Sequence, residues 1–183
     1  MEIVKDFTNS KLIRGIFLAL LGTVLLAISS KIKIPFYPVP MTMQTLVVLI
    51  IGIGFGWKLG LATMVLYLFE GIIGLPVFSG TPEKGVGFIY FTGPTMGYLI
   101  GFLVTVFLTG LFKYNNNFFI NFIKLSFATS FIYIFGLLWL GGLIGWDKPI
   151  FQLGAQPFLL AELFKILIAT FALSQIKKLR NII

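Results

Sequence analysis

Six apolar blocks, at residues 12–30, 42–55, 58–73, 94–112, 118–140 and 156–175, alternate with short breaks rich in Gly, Pro and basic side chains. Blocks of this length and monotony predict membrane-spanning helices and not the amphipathic helices of a soluble core. The first ends at Lys31-Ile32-Lys33-Ile34-Pro35. Gly52-Ile53-Gly54-Phe55-Gly56-Trp57-Lys58 separates the second from the third, where glycines, an interfacial Trp and a Lys predict a tight turn. The second block, roughly 14 residues, spans about 21 Å at 1.5 Å per residue. A hydrocarbon core is about 30 Å thick. Residues 35–41 are therefore expected to be recessed, as irregular backbone lining a cavity. The longest break, 74–93, holds Pro76 and Pro82 and predicts a lid or binding loop.

An even number of spans puts both termini on one side. That side would carry Lys5, Lys11, Arg14, Lys58, Lys113, Lys124, Lys177, Lys178 and Arg180, nine basic residues against four on the other (Lys31, Lys33, Lys84, Lys148). The asymmetry predicts cytoplasmic termini. The expected fold is one all-α membrane domain over 1–183, a single bundle of six transmembrane helices in a bacterial inner membrane. Lys5, Lys11 and Arg14 before the run to Ala27-Ile28-Ser29 resemble a signal peptide. Because the remaining blocks also need a membrane, this segment reads as an uncleaved first span.

Composition agrees: 58% of the 183 residues are hydrophobic, 11% are charged and mean hydropathy is +1.02. Soluble domains carry about 25% charged residues. With no Cys and no His, thiol chemistry, a histidine base and the commonest transition-metal ligands are absent. The net charge of +8 is scattered between apolar blocks, so it signals topology and not a nucleic-acid surface. No metal or other cofactor is expected.

Against this apolar background Glu162 and Lys165 stand out in the sixth block. Ionisable groups inside a span are expensive and usually face a partner, a cavity or a ligand. A spacing of three places them on one helical face. They are either a self-contained ion pair or half of a binding site. With the predicted orientation, Glu162 lies about 9 Å below the outer end of its helix. The 35–41 segment, the 74–93 loop and the 141–155 loop converge there.

Other candidates each carry a plainer alternative. Glu70 is a ligand group or an interfacial acid. Gln44 offers both donor and acceptor, whereas its neighbour Thr42 suits a helix start. Thr92-Gly93-Pro94-Thr95-Met96-Gly97-Tyr98 opens a helix, and its amides or Lys84 could receive an anion. Gly15, Ala19, Thr23 and Ala27 form a small-residue stripe at spacing four, for packing within the bundle or docking another membrane protein.

Four motifs then resemble the BioY family in order: Val39-Pro40-Met41-Thr42-Met43-Gln44-Thr45; Gly71-Ile72-Ile73-Gly74-Leu75-Pro76-Val77-Phe78; Gly93-Pro94-Thr95-Met96-Gly97-Tyr98-Leu99-Ile100-Gly101-Phe102; and Pro157-Phe158-Leu159-Leu160-Ala161-Glu162-Leu163-Phe164-Lys165. That family comprises biotin-binding S components of energy-coupling factor (ECF) transporters. The resemblance implies a six-helix S component taking biotin near the outer face. Its first-helix stripe would meet a transmembrane coupling subunit driven by a pair of ATPases. Glu162 and Lys165 match the acid and lysine that contact the biotin head group in the family. The family usually has Gly-Asp where this chain has Ala161-Glu162, so the carboxylate would reach about one bond further. Phe36, Tyr37, Phe78, Tyr90 and Tyr98 could wall the ring system, and Lys84 could meet the tail carboxylate.

Two other functions compete. One is a carrier of the same architecture for another vitamin-like solute. The other is a small polytopic enzyme, which would need clustered Asp, His or Cys; Asp6 and Asp147 both fall outside the spans. No Gly-x-x-x-x-Gly-Lys-[Ser/Thr] loop is present, so ATP hydrolysis by that route would belong to partners. A homo-oligomer is the remaining arrangement.

Overall fold

A computed structural model describes residues 11–83 and 85–181. Helix α1 covers Lys11–Lys31. The chain then turns through a two-residue ladder, β1 (Lys33–Ile34) paired antiparallel with β2 (Met41–Thr42), in register Lys33 with Thr42 and Ile34 with Met41. Helix α2 runs Gln44–Ile72, and a 3₁₀ turn, Gly87–Thr92, interrupts the long connection that follows. Next come α3 (Met96–Leu111), α4 (Phe118–Ile144), α5 (Ile150–Gly154), a 3₁₀ turn at Gln156–Phe158, α6 (Leu159–Phe171), α7 (Leu173–Ile176) and a last 3₁₀ turn at Lys177–Asn181.

Four helical stretches among the described residues are long and apolar enough to cross a membrane: Lys11–Lys31, Gln44–Ile72, Phe118–Ile144 and Ile150–Phe171. Met96–Leu111 is apolar but shorter. Helix α2 is not one straight rod. Gly56 sits at φ +72° inside it, a conformation other residues rarely adopt. Beyond that point the chain returns, since Gln44 Nε2 donates to Tyr67 Oη at 2.7 Å across 23 positions. A straight helix would hold those residues about 34 Å apart. The expected break between the second and third blocks is therefore present, as one glycine and not a loop.

The sixth block is more broken than its apolar pattern implies, being two helices and a 3₁₀ turn where one helix was expected. The ladder of β1 and β2 was not anticipated either. It occupies part of the segment expected to be irregular, within which the Tyr37–Pro38 peptide is cis.

Small residues let the helices approach closely, the usual basis of packing in lipid. A Cβ on Gly101 would lie 2.5 Å from Ile132 Cα of α4, and one on Gly110 would lie 2.5 Å from Trp57 Cα. The stripe on α1 is used inside the same bundle: Ala19 is 7% exposed, Thr23 is 2% exposed, and Gly15 faces Leu59. Of the two roles open to the stripe of Gly15, Ala19, Thr23 and Ala27, packing within the bundle is the one these contacts display. The outward apolar positions of α1 include Leu12, Ile16, Phe17, Leu20, Val24 and Ile28.

The connection over 74–93 folds onto the bundle end. Phe78, Tyr90 and Phe91 are buried, and the Phe78 and Tyr90 rings stack at 4.7 Å. Its carbonyls are held by side chains from the helices. Ser30 Oγ and Tyr67 Oη donate to Val77 O at 2.8 and 2.9 Å, and Lys31 Nζ donates to Phe78 O and Thr81 O, both at 2.9 Å. The opposite end gathers both ends of the described chain. Arg180 Nε donates to Ile53 O at 2.7 Å and its Nη2 to Gly110 O at 3.1 Å.

Gly101→Ala should lower the thermal stability of the purified protein, because α3 and α4 must part to admit the methyl. Overpacking of this kind costs about 1–3 kcal/mol. Melting in detergent against the native chain reads it, and an unchanged midpoint would contradict the close contact.

Candidate functional site

The 3₁₀ turn at Gln156–Phe158 sets the start of α6 so that Glu162 falls in its first turn, where the helix dipole favours an anion. Lys165 lies one turn further along on the same face. Both are buried, at 4% and 6% exposure, and Lys165 Nζ approaches Glu162 Oε2 to 3.4 Å.

The mouth of α2 completes the pair. Because Thr42 is in β2 and not in the helix, its carbonyl is available, and Lys165 Nζ donates to it at 2.6 Å. Thr45 Oγ1, in the first turn of α2, accepts from Lys165 Nζ at 3.0 Å and donates to Glu162 Oε2 at 3.0 Å. From α4, Tyr133 Oη donates to the same oxygen at 3.0 Å. Glu162 Oε2 therefore carries three donors, whereas Oε1 is buried with no hydrogen-bond partner. The ammonium of Lys165 has three protons and three protein acceptors.

These groups border a cavity of about 570 Å³, its open mouth included. Glu162, Lys165, Gln44 and Tyr98 all line it, so the structure brings four of the expected site residues together. Gln44 donates to Tyr67 Oη at 2.7 Å, and that hydroxyl passes its own proton to Val77 O in the covering connection. Thr42 also serves the helix start as expected, since its Oγ1 accepts from Gln44 N at 3.3 Å. Tyr98 gives the cavity its ring, because its hydroxyl is committed to Gly154 O at 2.7 Å. Phe78 and Tyr90 are walls as expected. Phe36 instead packs edge-on against Phe158 at 5.7 Å and Tyr37 is fully exposed, so neither lines the cavity.

Glu70 does not join them; it is half-buried near the far end of α2 and outside the cavity lining. Lys84 lies outside the described residues. Thr95, at the start of α3, borders the cavity through the mouth of the helix. Among the described residues no group of three His, Cys, Asp or Glu could hold a metal.

Thr45 and Tyr133 were not singled out from the sequence. Thr45 follows Gln44 in a quoted motif, where a second hydroxyl reads as part of the helix start. Tyr133 could have been found: Ser126, Thr129, Ser130 and Tyr133 recur at spacings of three and four along one face of a span whose remainder is apolar from Leu125 onward.

The arrangement is a pre-satisfied ion pair with one idle carboxylate oxygen, beside a largely apolar chamber. It suits a compact heterocycle that offers N–H donors to an anion and an acceptor to a cation.

A family model described as the BioY family matches residues 4–181. A probable biotin transporter BioY of Pyrococcus horikoshii is 31% identical over 157 residues, covering 83% of this chain and 89% of the relative. The biotin transporter BioY of Thermotoga maritima is 32% identical over 158 residues, covering 86% and 92%. A crystal structure of the S-component for biotin from an ECF-type ABC transporter superposes with a TM-score of 0.77 at 25% identity, covering 93% of this chain and 94% of that one.

Lys165→Met should destabilise the ligand-free protein by about 3–5 kcal/mol, because it strands a buried carboxylate. The double variant Glu162→Gln/Lys165→Met should recover most of that loss. Thermal unfolding of both in detergent checks the pair, and a double variant no better than the single would refute the coupling.

Proposed function

The chain belongs to the BioY family, and from that premise we propose that it captures biotin at the outer side of the membrane and carries it across as the substrate-binding S component of an ECF-type ABC transporter. The observation that carries this reading is the buried Glu162–Lys165 pair, its Oε1 unpaired, bordering a cavity walled by Phe78, Tyr90 and Tyr98. Biotin's ureido ring has two N–H donors and one carbonyl. Glu162 Oε1 takes an N–H, and Lys165 turns one proton from Thr45 or Glu162 to the carbonyl. Gln44 has an amide proton to spare and borders the same space. The aromatic rings receive the thiophane, and Lys84 is the cation assigned to the tail carboxylate.

The proposed topology has six spans: α1, the two halves of α2 on either side of Gly56, α3, α4, and 156–176. Both chain termini are cytoplasmic in this arrangement, consistent with nine basic residues against four. In this arrangement the cavity, at the end away from Arg180, faces the outer side. The integral membrane domain is the transporter's substrate-binding component. A transmembrane coupling subunit and a pair of ATPases supply the energy, and the location is the cytoplasmic membrane.

Labelled biotin should bind the purified chain, and other vitamins should not displace it. A hydrogen bond to a charged group contributes about 1.5–3 kcal/mol. At 1.4 kcal/mol per decade, Glu162→Gln and Lys165→Ala should each weaken binding about 10- to 100-fold. Native affinity in both variants would remove the assignment.

A further inference from the structure

We propose that Tyr133 is a positioning residue of this site: its hydroxyl holds the Glu162 carboxylate so that Oε2 serves the protein's own donors and Oε1 is kept for the ligand. This rests on the biotin-binding reading and goes one residue beyond it.

The first support is the uneven loading of the carboxylate. All three hydrogen bonds to Glu162 land on Oε2, and Oε1 has none. Two of those donors, Thr45 and Lys165, also bond each other, so they form one cluster between α2 and α6. Tyr133 comes from α4 and approaches independently of that cluster. A carboxylate held by one cluster can pivot about it. A second anchor from another helix stops the pivot.

The second support is what lies beside the pair. Tyr133 and Glu162 border the main cavity and also a second, open-sided void between α4 and α6, about 840 Å³ with its open side included. That void opens on the flank of the bundle, where Leu159 and Leu163 are exposed. The two hydrogen-bonded side chains thus stand as the partition between ligand chamber and flank. On the flank side Thr129 Oγ1 is buried without a partner and borders the same void. On the chamber side the Tyr133 ring packs edge-on to Tyr98 at 6.3 Å.

The test is a double-mutant cycle on the full chain in detergent, read by labelled-biotin affinity for the native protein, Tyr133→Phe, Glu162→Gln and the double variant. Phe keeps the ring and removes only the hydroxyl. In the native background Tyr133→Phe should weaken binding about tenfold, the scale of one hydrogen bond to a charged group. In the Glu162→Gln background it should change affinity less than about twofold, since no carboxylate remains to be positioned. Equal losses in both backgrounds would overturn the proposal, because a purely structural tyrosine acts regardless of residue 162. No loss in the native background would overturn it too. If the Phe variant does not fold, Tyr133→Met removes the same hydroxyl and is read by the same criteria. A Glu162→Gln protein with native affinity would instead defeat the underlying binding reading, so the two failures are distinguishable.

Discussion

A carboxylate and an ammonium placed inside an apolar bundle have to be satisfied by protein, and the architecture around the cavity follows from that demand. Desolvating either group costs several kcal/mol unless hydrogen bonds replace the water. Lys165 finds its replacement in a backbone carbonyl, that of Thr42, which is free because the chain there is a strand and not a helix. Had α2 begun one turn earlier, Thr42 O would be drawn into the helical ladder. The short second block and the irregular stretch before it are therefore linked to the charge on α6.

The cover over 74–93 extends the same logic outward. Gln44, one residue before Thr45, bonds Tyr67, and Tyr67 bonds Val77 in the cover. Tyr67 can reach Gln44 because Gly56 folds α2 back on itself. Gly136 and Gly154 play a comparable part for Tyr98. A side chain at either would collide with the Tyr98 ring or hydroxyl, so their bareness seats the ring against α4 and lets it reach Gly154 O. Lipid supplies little hydrophobic drive between helices, so this close fit carries much of the cohesion.

What could be read from the sequence was what rests on local pattern. Block lengths located the helices, Gly56 fell inside the predicted turn, and charge inside an apolar run marked Glu162 and Lys165. Gln44 and Tyr98 were reached through motifs at helix starts. Positions decided by tertiary placement were not readable. Glu70 looked equivalent to Glu162 as an acid in a span, yet its side of α2 does not line the cavity. The stripe of Gly15, Ala19, Thr23 and Ala27 permits close approach without naming the neighbour; Gly15 faces Leu59 of α2. Tyr133 carried a polar-stripe signal that its apolar ring concealed. The β1–β2 ladder is too short for any periodicity to reveal it.

In the proposed binding reading, the proton count of the pair shapes how a ligand binds. Lys165 has no idle N–H, whereas Glu162 has an idle oxygen. An arriving N–H donor is thus a net gain for the protein, but an arriving carbonyl must displace Thr45 or Glu162 from the ammonium. Recognition through the acid is additive and recognition through the lysine is an exchange. A solute with only an acceptor gains little, because it breaks one bond for each it makes. A solute with donor and acceptor on one rigid ring gains at Oε1 while the exchange at Lys165 stays near neutral. Discrimination of that kind comes from leaving a buried polar atom unpaired when the wrong solute enters.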